Sequence, residues 1–123
     1  MWAKVVDETR FHSHKHIHSR KLLDKQKEGF VNKVFTFSES EYCFSKSNPA
    51  MHFAGRFAAK ESIKKCLFSS EIISSIGFNE IEILSKNNGA PFVSPIKDLK
   101  IKDMQLSISH ETDFAVAMAI MIL

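Results

Sequence analysis

The chain of 123 residues has only two cysteines, Cys43 and Cys66, and neither stands in a CxxC or zinc-finger spacing. A cysteine-ligated zinc motif is thereby excluded, and reduced thiols are the default expectation. No apolar signal-peptide core follows Met1, so no secretion signal is expected. The longest apolar run, FAVAMAIMIL at residues 114–123, is far shorter than the roughly 18 residues a membrane span needs. Excess charge is scarce as well. Seventeen Lys and Arg against fourteen Asp and Glu leave +3, too little for a nucleic-acid surface but tilted toward an acidic partner. No repeat, low-complexity tract or linker interrupts the chain. One cytoplasmic domain, with neither membrane nor nucleic acid as partner, is the reading that survives.

What is present has an ordinary globular composition, 44% hydrophobic and 25% charged. Eleven phenylalanines against one Trp and one Tyr predict a Phe-rich core. Val5 and Val6 mark a short strand ending at Asp7, and SRKLLDKQKEGFVNKVF (19–35) reads as a helix broken near Gly29. Thr36 and Glu39 stand in the capping-box relation, which predicts a helix start. Asn48 as N-cap and Pro49 at the first helical position open the clearest helix, running to about Leu67 with Phe53, Ala54, Phe57 and Ala58 as its apolar stripe. After Gly77, Ile81 and Ile83 alternate with Glu80 and Glu82 as in a half-buried strand. NNGAPFV (87–93) supplies a turn, with Gly89 available for positive φ, and then a strand. MQLSISH (104–110) puts Leu106, Ile108 and His110 on one face, and the final run is expected to be a strand buried on both sides. Helices early and strands late indicate an α+β fold.

Several residues could carry chemistry. On a helix Glu61 and Lys65 are one turn apart on one face, with Arg56 and Lys60 nearby. As a solvated pair they contribute a few tenths of a kcal/mol. As a site they offer one carboxylate for a hard cation amid cations for phosphate. His110 closes a strand just before a turn, where it can meet a ligand or bond a turn carbonyl. His12, His14, His16 and His18 alternate in FHSHKHIH and would share one face of a strand about 7 Å apart, enough for adjacent pairs to chelate a metal. Runs of this kind more often bind metal opportunistically, and a purification-type remnant is the other reading.

Taken together, FAGRFAAKESIKKCL (53–67), GFNEIEILSKNNGAP (77–91) and LSISHETDFAVAMAIMIL (106–123) resemble the holo-acyl-carrier-protein synthases, the small 4′-phosphopantetheinyl transferases. The marks are F-x-x-K-E at 57–61, Lys65 four residues on, N-G-x-P at 88–91, S-I-S-H at 107–110 and F-T-x-x-E-x-x-Y-C at 35–43. The resemblance is clearest over residues 28–123 of a single domain spanning 1–123, with 1–27 divergent. It implies an α+β fold of helices packed on a mainly antiparallel sheet, working as a homotrimer with active sites between subunits. The implied reaction moves the phosphopantetheine arm from coenzyme A to a serine of an apo acyl carrier protein, within lipid biosynthesis, and releases adenosine 3′,5′-bisphosphate. By motif position Glu61 and Lys65 would be catalytic, and Arg56, Lys60 and His110 would line the coenzyme A site. Glu61 and Asp7 would hold Mg²⁺. The acidic carrier would dock on the basic segment with Arg20, Lys21, Lys25 and Lys27.

Two departures stand out. The family's Gly-rich G-T-G-I segment is replaced by LFSSEIISSIGF (67–78). Its metal aspartate, in an opening G-x-D-(I/V) strand, falls at about Ser13 on an ungapped count, which leaves Asp7 of KVVDETRF as the candidate. Without Asp7, one carboxylate with a histidine would suit Zn²⁺, Co²⁺ or Mn²⁺ better. The alternative function is a non-catalytic family member that binds coenzyme A or a carrier protein.

Overall fold

The computed structural model describes residues 2–10, 25–111 and 113–123, with side chains from residue 29 onward within those ranges. The elements run β1 (Trp2–Arg10), α1 (Lys25–Val34), α2 (Phe37–Phe44), α3 (Pro49–Ser69), a 3₁₀ turn (Phe78–Glu80), β2 (Ile83–Ser85), β3 (Pro91–Val93), β4 (Asp103–His110) and β5 (Phe114–Ile122). An antiparallel sheet in the order β1-β5-β4 carries α3 on one face, and β2-β3 forms a separate hairpin. This is the expected α+β arrangement of helices on an antiparallel sheet.

Local rules explain most boundaries. Thr36 Oγ1 accepts from the Glu39 backbone N–H, and the Glu39 carboxylate accepts from the Thr36 N–H at 2.8 Å, closing the predicted capping box. Asn48 Oδ1 accepts from the Met51 N–H at 3.2 Å, with Pro49 next, so α3 begins where expected. Gly89 takes φ +89° in the turn between β2 and β3. By contrast α1 passes through Gly29 unbroken, because a lone glycine costs only about 1 kcal/mol in a helix. The predicted strand from Glu80 shortens to three residues, since Phe78–Glu80 turns first, although Ile81 and Ile83 are both buried.

The core is built from small and aliphatic side chains. Ala115, Ala117, Ala119 and Met121 form the inner face of β5, and Ala58, Ala59, Ile63, Cys66 and Leu67 of α3 are buried with them. Alanine against alanine lets helix and sheet approach closely, and Cys66 Sγ reaches the Ala119 carbonyl at 3.6 Å. The expected Phe-rich core is corrected. Of the described phenylalanines only Phe35 is buried, while Phe30, Phe57 and Phe78, and Phe35, Phe44 and Phe53, stack in two ring series beneath α1 and α2. Nor is β5 buried on both sides. Phe114, Val116, Met118 and Ile120 are only partly covered, and Ile122 is 41% exposed.

The stretch that lacks the family's glycines continues α3 to Ser69. The left-handed exit then falls on Glu71 at φ +59°, a position that favours glycine. Among the described residues no helix is long and apolar enough to cross a membrane. Cys43 and Cys66 are fully buried and not joined in a disulfide, and burial pushes the Cys43 thiol up to about 12.

Candidate active site

Arg56, Lys60, Glu61 and Lys65 lie on α3, His110 ends β4, and Asp7 lies within β1. A helix turns about 100° per residue, so Arg56 and Lys60 share one face while Glu61 and Lys65 share another, about 140° round from Arg56.

The Arg56 face is closed in by α2, β2 and β4. Arg56 is buried, its Nη2 donates to Ser85 Oγ at 2.9 Å, and its guanidinium carbon lies 3.9 Å from the centroid of the Tyr42 ring. Among the described residues the Nε–H is buried without a hydrogen-bond partner, which typically costs about 1–3 kcal/mol. One turn earlier on α3, His52 has its ring 5.4 Å from that of His110 and meets Tyr42 edge-on at 5.7 Å. Lys46 Nζ stands 4.6 Å from the Tyr42 ring centroid. Arg56 and His110 thus share a cluster. Sequence reasoning missed Tyr42, Lys46, His52 and Ser85. The four-residue spacing of His52 and Arg56 was the available signal for His52.

The cluster is electropositive and partly dry. Burial, followed by His110, Lys46 and Arg56, pushes His52 down to about 4. Burial, followed by Arg56, lowers His110 below its usual value. Both imidazoles are therefore neutral at pH 7.

Gly55 fixes the position of His110. A Cβ at residue 55 would come within 2.6 Å of His110 Nε2 and 2.9 Å of Ile108 Cγ2. Alanine would gain about 1 kcal/mol in helix propensity, but overpacking typically costs about 1–3 kcal/mol. With the ring held between α3 and β4, the clash should win. Gly55→Ala is expected to lower the chemical-denaturation free energy by about 1–2 kcal/mol. A more stable variant would mean that His110 swings away freely.

Lys60 is directed toward α2 and the segment before β2. It is fully buried, its Nζ pairs with Glu39 Oε1 at 2.7 Å, and it donates to the carbonyls of Phe78, at 2.8 Å, and Ile81. The three ammonium protons have three acceptors, so none remains for a phosphate. Burial pulls the ammonium below the usual lysine range, and Glu39 offsets part of that. Glu39, also fully buried, accepts the Ile83 N–H on Oε2 at 2.8 Å. Thr36 Oγ1 donates to Glu82 Oε2 at 2.6 Å. This network ties α2, α3 and β2 together behind the Arg56 cluster.

On the other face Glu61 is half-buried and Lys65 exposed. Asp7 pairs with Ala117, and Ala117 with Ile108, across the sheet. β1 packs against α3, so the two carboxylate-bearing elements adjoin. Among the described residues no three of His, Cys, Asp or Glu gather into a metal-binding group. His12, His14, His16 and His18, with Ser13, Arg20 and Lys21, lie outside the described residues, whereas Lys25 and Lys27 sit on α1.

The motifs of the family resemblance thus lie chiefly on α3 and at the end of β4. The model of the 4′-phosphopantetheinyl transferase superfamily matches residues 14–119, and the chain belongs to that family. Within it, a holo-[acyl-carrier-protein] synthase of Chlorobaculum parvum is 41% identical over 101 residues, covering 82% of this chain and 86% of the relative. The solved holo-[acyl-carrier-protein] synthase of Neisseria meningitidis superposes with a TM-score of 0.73 at 25% identity, over 98% of this chain and 97% of that one. The ACPS–CoA complex of Chronobacterium ammoniagenes does so with a TM-score of 0.68 at 25% identity, again over 98% and 97%. Asp7 falls outside the stretch matched to the family.

Proposed function

We propose that the chain transfers the 4′-phosphopantetheine arm of coenzyme A to a serine of an apo acyl carrier protein. The observation that carries this reading is the combination of the intact F-x-x-K-E…K motif on α3 with the Arg56–His110 cluster at the end of β4. The serine oxygen attacks the pyrophosphate phosphorus bonded to the pantetheine arm, and adenosine 3′,5′-bisphosphate leaves. Catalysis of such a step is positioning and charge neutralisation. Arg56 and His110 hold the nucleotide end, while Lys65 meets the charge that develops on the transferred phosphoryl group. Glu61 and Asp7 supply the hard oxygen donors that Mg²⁺ prefers, alongside substrate phosphates. When bound, the ion polarises the phosphorus and stabilises the leaving bisphosphate.

The half-covered face of β5 supports a homotrimer. Val116, Met118 and Ile120 form an apolar row with the exposed Gln105, Ser107 and Ser109 of β4 beside them, a face suited to a second copy. The 140° separation on α3 points the same way, because one protomer presents Arg56 and Glu61 on different faces and a site between subunits can unite them. Met118→Glu is expected to yield monomers by light scattering with transfer lost; a trimer that persists would argue against this face. Two buried thiols not joined in a disulfide fit the reducing cytoplasm.

Incubating apo carrier with coenzyme A and Mg²⁺ tests the activity. The carrier should gain the phosphopantetheine mass. Coenzyme A binding without turnover on several carriers would favour the non-catalytic alternative instead.

A further inference from the structure

His52 belongs to no motif of the family resemblance, yet it stands at the centre of the Arg56 cluster. From α3 it faces His110 on β4, Tyr42 on α2 and Lys46 just beyond α2. The charged and titratable groups acting on it are His110, Lys46 and Arg56, all basic. The Arg56 Nε–H is a buried donor without an acceptor among the described residues. A cluster of this kind has the composition of a site awaiting an anion. Its cations are fixed, one N–H is unused, and its two imidazoles are short of the protons they can hold.

We propose that His52 is a further coenzyme-binding residue, which together with His110 and Arg56 receives a phosphate group of coenzyme A and takes up a proton as that phosphate arrives. This rests on the transferase reading above. Burial and neighbouring cations disfavour a further positive charge on either imidazole. A phosphate placed among them reverses the sign of the local field, so the imidazolium form becomes the favoured donor. The sign follows by linkage: a ligand that raises an imidazole pKa binds with proton uptake, so its affinity falls as pH rises through the pKa of the filled site. The phosphate is either the 3′ monoester on the ribose or the pyrophosphate, and 3′-dephospho-coenzyme A separates them.

Calorimetric titration of coenzyme A into the full chain and into His52→Gln, in buffers of different ionisation enthalpy, tests the proposal. Glutamine keeps a donor but cannot take a proton, and residue 52 is only half-buried, so folding should be preserved. The full chain should take up protons at pH 6 and bind roughly tenfold more weakly at pH 8. His52→Gln should lose roughly tenfold in affinity at pH 6, change less than about twofold at pH 8, and take up fewer protons. With 3′-dephospho-coenzyme A the His52 effect should vanish if the monoester is the ligand and persist if the pyrophosphate is. Histidine NMR of the unaltered chain gives an independent reading, in which the His52 pKa should rise above 6 on saturation with coenzyme A. Normal coenzyme A binding with unchanged affinity and proton uptake in His52→Gln would overturn this proposal alone. A full chain that binds no coenzyme A would overturn the transferase reading with it.

Discussion

Replacing Lys60 by methionine is expected to remove about 3–5 kcal/mol of folding stability, a large share of the roughly 5–15 kcal/mol a domain of this kind possesses. The change keeps length and volume but leaves the fully buried Glu39 carboxylate without its cation. Glu39→Gln should be comparably damaging, because it strands the Lys60 ammonium instead. The double variant tests whether the two act as one unit. Glu39→Gln/Lys60→Met removes both charges, so it should be more stable than the sum of the single losses implies, by about 2 kcal/mol or more. Urea unfolding of the four proteins measures this coupling. Strictly additive losses would show that the pair is not an energetic unit. That outcome would return Lys60 to contention as a ligand-facing residue.

The second large effect concerns chemistry rather than stability. Glu61→Gln is expected to reduce phosphopantetheine transfer by roughly 10²–10³-fold, the scale on which losing a group that stabilises developing charge is felt. Because Glu61 is half-buried and outside the Glu39 network, its variant should unfold within about 1 kcal/mol of the parent. The diagnostic is the combination of a near-normal unfolding curve with a carrier whose mass does not change. Raising Mg²⁺ should restore part of the rate if Glu61 acts through the ion, whereas a missing base would not respond. Near-normal transfer by Glu61→Gln would remove this residue from the mechanism.

These expectations divide according to what a sequence can disclose. The capping box of Thr36 and Glu39 was legible because its two bonds close within three residues. The other task of Glu39, bonding the Ile83 N–H and the Lys60 ammonium, was not, because those partners are 44 and 21 residues away. A lysine beside a motif glutamate invites assignment to a ligand, and only tertiary packing reveals that its three protons are already committed. The same limit applies to phenylalanine. Abundance suggested the core, but tight helix-on-sheet packing selected alanine there and left the larger rings to the α1 and α2 side. Arg56 and His110 were brought to one site by family resemblance alone, since no local pattern connects a helix centre to a strand end 54 positions later. His52 could have been found from its helical spacing to Arg56. The backbone carries Asp7 into β1 beside α3, but the sequence before the first helix had already departed from its relatives there.

The order of strands in the sheet also bears on how the domain assembles. β5 lies in the middle, hydrogen-bonded to β1 on one side and β4 on the other, although it is the last strand in chain order. Among the described residues β1 therefore has no sheet partner until β5 has emerged, and Trp2 finds its place opposite Ile122. During synthesis β1 must wait for β5 while α1, α2 and α3 are made, the condition in which strands pair with the wrong neighbour. Folding should accordingly be slow for a chain of this size and resistant to nucleation from its N-terminal half.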